Sequence, residues 1–350
     1  MRARKRATFG AEELAVALSH YDLGIIESIT DFPRGSRRSP KAGIVCEKGK
    51  FLLKRRAVDK ARADRVRFAH AVQKHLADNG FPAPKLIPTR VQGHEALQLG
   101  ESIYELFEFV PGQPFRQRPE ESREAGVVLA RFHEATEGFV PPPNAPHGSF
   151  HDVPGVRTGL CTIDSTLSSH DSFTGNEAEL ATLVQYLLSV YDDAAAAVNA
   201  IDLTNWPERV VHSDWHPGNL LYKGDQVVAV IDYETVRLSR RIVDVSNAVL
   251  QFSITAGGDP ASWPEHVDEE RFAAFLSGYE SLCPLSEQER ACIIDLMIEA
   301  LIAECVPPIT ETGSVGRWSG YRVLQMVRRK VGWMKSNADR LVPVRSDESA

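Results

Sequence analysis

An α+β fold in two lobes, a small β-rich one followed by a larger helical one, is what this 350-residue chain predicts. Three observations carry that prediction. Short apolar runs punctuated by turn residues fill residues 22–110. Helical spacing takes over after Pro111-Gly112, and one late β segment, Val210 to Val236, interrupts the helices.

In order along the chain, Leu23 to Ile29 is apolar-rich and leads into a turn-rich loop, Asp31 to Pro40. Ala42 to Cys46 and Lys50 to Lys54 read as strands about a Lys48-Gly49 turn. Residues 60–79 place Val66, Ala69, Val72, Gln73 and Leu76 on one helical face, and Asn79-Gly80 stops the run. Glu95 to Leu99 and Ser102 to Val110 complete five strands, with one helix inserted after the third. Glu120 to Thr136 is amphipathic through Ala125, Val128, Leu129, Phe132 and Thr136. Helices are also expected over 176–200, 269–282, 286–305 and 321–336. The expected domains are therefore 22–110 and 111–340, with 1–21 and 341–350 as terminal extensions.

Composition narrows the function. With 43% hydrophobic and 25% charged residues the chain is ordinary globular protein, long enough to bury a core without disulfides. Its five cysteines form no Cys-x-x-Cys pair, which points to a reducing compartment. The basic start, Met1 to Gly10, precedes no apolar stretch. The most apolar run, Ile293 to Val306, is broken by Asp295, Glu299 and Glu304, so it reads as a core helix and not a membrane span. A cytoplasmic chain with no membrane partner is the expectation. The net charge of −7 argues against nucleic-acid binding. Against that background, Arg34 to Arg65 holds twelve Lys or Arg and three acids, a basic block that reads either as a solvated face or as the seat of one anionic ligand on the first lobe.

The chemistry concentrates in Val210 to Thr235. His212, Asp214 and Asn219 form His-x-Asp-x-x-x-x-Asn, and Asp232 ends an apolar strand thirteen residues later. That spacing suits phosphoryl transfer: Asp214 can accept a hydroxyl proton, while Asn219 and Asp232, joined by a hairpin turning at Lys223-Gly224-Asp225, offer hard oxygens to Mg²⁺. A second reading stays open. His212, Asp214 and His216 alternate and on a strand would face one side, as a zinc site needs, although Pro217-Gly218 breaks the strand at once. A third is a polar loop around a buried histidine.

The segments His-Ser-Asp-Trp-His-Pro-Gly-Asn-Leu-Leu and Val-Ile-Asp-Tyr-Glu together resemble the Brenner-type motif of the aminoglycoside phosphotransferase and choline kinase superfamily, over residues 22 to about 305. Leu-Leu-Lys and the helix ending His-Leu-Ala-Asp-Asn-Gly-Phe-Pro-Ala-Pro are similar to type II homoserine kinase and to spore-coat kinase-like proteins. The resemblance implies a protein-kinase-like fold and an ATP- and Mg-dependent transfer of phosphate to a small-molecule hydroxyl. On this chain's residues it implies Asp214 as catalytic base and Asn219 and Asp232 as metal ligands. Lys54 would lie on the α- and β-phosphates. Phe107, Glu108, Phe109 and Val110 would form an adenine-binding hinge, and Asp244 would buttress the catalytic loop. Acceptor identity and oligomeric state do not follow from it.

The sequence departs from that pattern in three places. Between Ala57 and Gly80 there is no Glu to pair with Lys54; His70 or Gln73 stands in that register, which leaves Lys54 to phosphate alone or to another acid such as Glu47. The loop Pro33-Arg-Gly-Ser-Arg-Arg-Ser has one glycine; Ser36 with Arg34, Arg37 and Arg38 could cradle polyphosphate, and an anionic substrate or partner is the rival reading of the same loop. Tyr233-Glu234 follows Asp232, and no Ala-Pro-Glu segment follows, which weighs against a protein kinase. Trp215, Glu234, Arg237, Asp152 and Trp206 are candidate acceptor-pocket residues. The missing helix Glu keeps an alternative in view: a kinase-fold nucleotide- or partner-binding protein with little turnover.

Overall fold

The computed structural model describes residues 7–32, 39–57, 63–91, 93–169 and 175–343. Its elements in chain order are α1 (Ala11–Ser19), β1 (Ile26–Asp31), β2 (Lys41–Cys46), β3 (Gly49–Ala57), α2 (Ala63–Asp78), β4 (Leu97–Leu99) and β5 (Ser102–Glu108). Then come α3 (Pro119–Ala135), α4 (Pro154–Ser168), α5 (Glu177–Ala200), β6 (Arg209–Val211), β7 (Leu220–Lys223), β8 (Gln226–Val230) and β9 (Arg237–Ser239). The chain continues through α6 (Arg241–Ser253), α7 (Glu269–Glu280), α8 (Glu287–Ala291), α9 (Ile293–Thr312), β10 (Ser314–Val315), β11 (Trp318–Ser319), α10 (Gly320–Ser336) and α11 (Ala338–Leu341). The architecture is α+β.

Two compact units result. The first holds the described residues up to Pro114 together with Gly138–Pro146 and Leu220–Val236. Its antiparallel sheet has the order β1-β2-β3-β5-β4. Strand pleating gives that sheet two chemically distinct faces. Ala42, Ile44, Cys46, Phe51, Leu53, Tyr104 and Leu106 form one, packed on Ala17 and Leu18 of α1 and on Tyr21 and Leu23. Lys41, Lys54, Arg56 and Glu105 occupy the alternate positions and so the opposite face. The β7–β8 hairpin pairs Leu220 with Val230 and turns as expected at Gly224, where φ is +62°. Val230 N–H donates to Pro82 O (2.8 Å), and Gln73 Nε2 to Pro84 O (2.7 Å), which ties hairpin and α2 to the same proline-rich segment.

The second unit holds Phe115–Glu137, His147–Asn219 and the chain from Arg237 onward. Helices α3 and α7 cross backbone to backbone. A Cβ at Gly278 would run into the Arg123 carbonyl, and only glycine permits that approach. The helix expected over 286–305 is in fact two. A capping box between Ser286 and Glu289 starts α8, Cys292 breaks it, and α9 runs on through Pro307 and Pro308 until Gly313, at φ +69°, ends it. Helices α1, α4, α6 and the short α11 were not expected.

Candidate active site

In the second unit the loop after β6 is held from beneath by one buried carboxylate. His212 N–H and Ser213 N–H donate to Asp244 Oδ2 and Oδ1, both at 2.8 Å, and His133 Nε2 lies 3.3 Å from Oδ2. His133 Nδ1 in turn meets Tyr279 Oη at 2.8 Å. Ser213 sits at φ +62°, a left-handed turn that a non-glycine residue adopts only when its surroundings impose it. Burial alone would raise the Asp244 carboxyl; the His133 and His212 interactions outweigh it and hold it below its usual range. Asp244 thus buttresses the loop, as the resemblance implies.

On that loop Asp214 and Asn219 are brought together. Asn219 Nδ2 donates to Asp214 O (3.0 Å) and to Asp214 Oδ2 (2.9 Å), while Pro217–Asn219 forms one 3-10 turn. With its amide nitrogen spent twice, Asn219 has Oδ1 left to offer a cation. Gly218 N–H donates to His216 Nδ1 (3.0 Å), so the neutral ring carries its proton on Nε2, 3.6 Å from Asp214 Oδ1.

These positions end the zinc reading. The left-handed Ser213 breaks the alternation: His212 is fully buried, edge-on to Trp215 and Phe132, whereas Asp214 and His216 are accessible. Among the described residues no group of three or more His, Cys, Asp or Glu could hold a metal. Trp215 is buried completely and lines no acceptor pocket. Asp152 is taken by Arg157 and by Asn199 Nδ2 at 2.9 Å.

One residue escaped the sequence reading. Glu304, on α9, receives Gln251 Nε2 on both oxygens (2.7 and 2.9 Å) and stays accessible although protein crowds it. That crowding raises its carboxyl. The Gln251 bond opposes the rise and the Asp214 charge adds to it. Its helical run was read only as core, because acids there break an otherwise apolar pattern.

In the first unit Lys54 and Asp232 are brought together. Asp232 stands just beyond β8 at φ +66°, with Oδ1 3.5 Å from Lys54 Nζ. The ammonium's tighter partner is Glu234 Oε1, and Arg56 Nη2 lies 3.5 Å from the same oxygen. Glu47 is not the acid at Lys54: its Oε2 accepts from Ile25 N–H at 2.9 Å, on the far edge of the sheet. His70 pairs with Glu105 Oε1, and Glu105 Oε2 accepts from Arg56 Nε at 2.8 Å. Burial would raise Glu105; the His70 hydrogen bond and the Arg56 charge outweigh it and hold the carboxyl at about 2. Of the residues expected to form the hinge, Phe107 and Glu108 end β5, and Phe109 and Val110 follow it. Phe107 pairs with Leu52, Glu108 N–H donates to Lys85 O (2.9 Å) and Phe109 N–H to Lys50 O (3.0 Å), so those two amides are committed to the protein. Val110 comes next. Ser36 and Arg37 lie outside the described residues.

The depressed Glu105 and Asp244 set a pH dependence. A carboxyl that ionises more readily folded than unfolded stabilises above its unfolded value and loses that stabilisation as pH falls toward the folded one. For Glu105 the window runs from 4.5 down to about 2, worth on the order of 3 kcal/mol. Denaturant midpoints taken from pH 6 to pH 3 should fall steeply in the wild type and more gently in Glu105→Gln. Parallel curves would refute the assignment.

A buttressed Asp–Asn loop, a lysine set against an aspartate at a strand end and a chain divided into a β-rich and a helical unit define a kinase-like phosphotransferase. The model of the phosphotransferase enzyme family matches residues 44–290, and the chain belongs to that family. It is a small-molecule kinase, an ATP-dependent phosphotransferase acting on a hydroxyl. It is 28% identical over 288 residues to a homoserine kinase of Bradyrhizobium diazoefficiens, covering 81% of this chain and 79% of that one. Two solved structures share the fold. An aminoglycoside phosphotransferase from Alicyclobacillus acidocaldarius matches with TM-score 0.65 and 17% identity, over 97% of this chain and 98% of the other. An amicoumacin kinase in complex with AMP-PNP and Ca²⁺ matches with TM-score 0.65 and 14% identity, over 96% of each. Among the described residues no helix is long and apolar enough to cross a membrane.

Proposed function

We propose that the chain phosphorylates the hydroxyl of a small, ammonium-bearing acceptor, a hydroxy amino acid of the homoserine type, with Asp214 as the base. The observation that carries this reading is the double hydrogen bond from Asn219 to Asp214. It fixes the carboxylate's orientation while one oxygen stays available to a hydroxyl proton. Glu304 supports the ammonium: a crowded carboxylate beside Asp214 gains by taking a cation. The homoserine kinases that this chain resembles point to the same class.

Asn219 Oδ1 and the Asp232 carboxylate, hard oxygens at the two ends of the β7–β8 hairpin, fit Mg²⁺ and are assigned to it. Bound there, the metal would offset charge on the β- and γ-phosphates. Lys54 is assigned to the α- and β-phosphates. Val110 is assigned to adenine, with the backbone of Phe107, Glu108 and Phe109 shaping the slot. Ser36 and Arg37 remain assigned to phosphate on sequence grounds alone. On this reading 22–110 is the lobe of nucleotide-binding strands and helix, and 111–340 carries the catalytic loop, the metal ligands and the acceptor pocket. The cytoplasm suits the free cysteines Cys46, Cys161, Cys283, Cys292 and Cys305.

Coupled ADP release tests the acceptor, using homoserine, serine, ethanolamine, 3-aminopropanol, choline, kanamycin and ribose. The amino acids should give the largest kcat/KM, and Glu304→Gln should raise their KM about tenfold, the usual worth of one charge-assisted contact. Preference for ribose, or a Glu304→Gln variant with unchanged KM, would refute the ammonium reading.

A further inference from the structure

The cation-rich face of the β1–β5 sheet contains a carboxylate whose task is not explained by the site as described. Lys41 is the register partner of Lys54 across β2–β3, and Lys54 is the partner of Glu105 across β3–β5. Residues directly opposite on antiparallel strands project to the same side, so Lys41, Lys54 and Glu105 stand in one row. Arg56, two residues along β3, joins them on that face. Lys41, Lys54 and Arg56 therefore share that face with Glu105, and Lys50 at the start of β3 adds a fourth cation to it.

Glu105 is wholly excluded from solvent, and both its oxygens are used. The guanidinium of Arg56 lies on Oε2 through Nε and Nη2, and Nε2 of His70, on α2, lies on Oε1. The carboxylates at Lys54 are different in kind: the side chains of Asp232 and Glu234 are 35% and 40% exposed. Exposed acids can be exchanged for phosphate; a sealed one cannot. Burial lowers the Lys41 ammonium, with the Lys54 and Arg56 charges adding to the effect and Asp232 and Glu234 opposing it.

We propose that Glu105 is the positioning residue for Lys54. It would act by absorbing Arg56 and pinning α2 through His70, so that the Lys54 ammonium is left to exchangeable acids and hence to the nucleotide. Without that charge, Arg56, already 3.5 Å from Glu234, competes with Lys54 for the same carboxylate, and α2 loses its tie to the sheet. Structural support alone would not need an ion here, since well-packed apolar groups replace buried ion pairs at little cost. The inference rests on the assignment of Lys54 to the phosphates.

Glu105→Gln keeps the shape and removes the charge. The KM for ATP should rise about tenfold and kcat/KM for ATP fall on the order of 10²-fold, the cost of misplacing a binding group. The acceptor KM at saturating ATP should stay within about twofold. The paired variant His70→Glu with Glu105→Gln supplies the carboxylate to the same contact from the helix and should recover about tenfold of the loss. An unchanged ATP KM in Glu105→Gln overturns the inference, as does a folded paired variant no better than the single one. If Glu105→Gln does not fold, His70→Gln, which spares the Arg56 pair, should raise the ATP KM about fivefold; no rise overturns the inference. Lys54→Met separates the two levels. If it leaves kcat/KM for ATP intact, the phosphate assignment fails and the inference with it. If it abolishes activity while Glu105→Gln is silent, only the role of Glu105 fails.

Discussion

Asp214→Asn should lower kcat by about 10³-fold, within the range a lost general base typically costs, and leave the KM for ATP nearly unchanged. The substitution replaces a carboxylate oxygen by an amide and changes little else in shape. The Asn219 contact to the Asp214 backbone carbonyl survives, as do the anchors of His212 and Ser213 on Asp244. A fall in kcat with nucleotide affinity preserved therefore isolates proton acceptance from positioning. Single-turnover transfer to homoserine, followed as ADP formed per enzyme, reads it directly. A variant retaining a tenth or more of wild-type kcat would show that the base lies elsewhere.

The second large effect falls on metal-dependent nucleotide binding. Wild-type protein with ATP and Mg²⁺ at about 100 times its dissociation constant gains roughly 2.7 kcal/mol, visible as a rise of a few degrees in Tm. In Asp232→Ala the Mg²⁺-dependent part of that rise should vanish, because one of the two proposed ligands is gone. Whatever shift ATP produces with EDTA should persist, since Lys54 remains. Asp232 is only 3.5 Å from Lys54 Nζ, so its loss also removes a negative charge from the cation row. Asp232→Asn, which keeps an oxygen donor, separates the two effects. A full Mg²⁺-dependent shift in Asp232→Ala would remove that residue from the metal site.

Much of this was legible in the sequence, and the reasons differ from element to element. The strands expected over Ala42 to Cys46 and Lys50 to Lys54 showed themselves through short apolar runs and the Lys48-Gly49 turn, and the catalytic-loop spacing through its His, Asp and Asn. Helix α6 stayed hidden because its polar residues Asp244, Ser246 and Asn247 are buried, against what their chemistry suggests from sequence. Helix α4 is rich in Thr, Ser and Gly, which speak against a helix, and its stripe of Val156, Leu160, Ile163 and Leu167 decides the outcome only once packed. The acids at Lys54 were unreadable for another reason. Glu105 comes opposite it only through the register of strands about fifty residues apart, and Glu234 reaches it through a hairpin far along the chain, and no local pattern encodes either. Glu47 was nearer in sequence and lost to geometry.

The Lys54–Glu234 pair also says something about which anions the site admits. To any anion approaching Lys54, Glu234 is a rival already in place, tethered by its own backbone and so present at an effective concentration of order millimolar. A monovalent or singly held anion, inorganic phosphate included, must outcompete it one contact at a time. A polyphosphate that engages several groups together displaces it in one event. With Lys54 assigned to the phosphates, the carboxylate would work as an internal filter on valency, keeping the lysine occupied without sealing it.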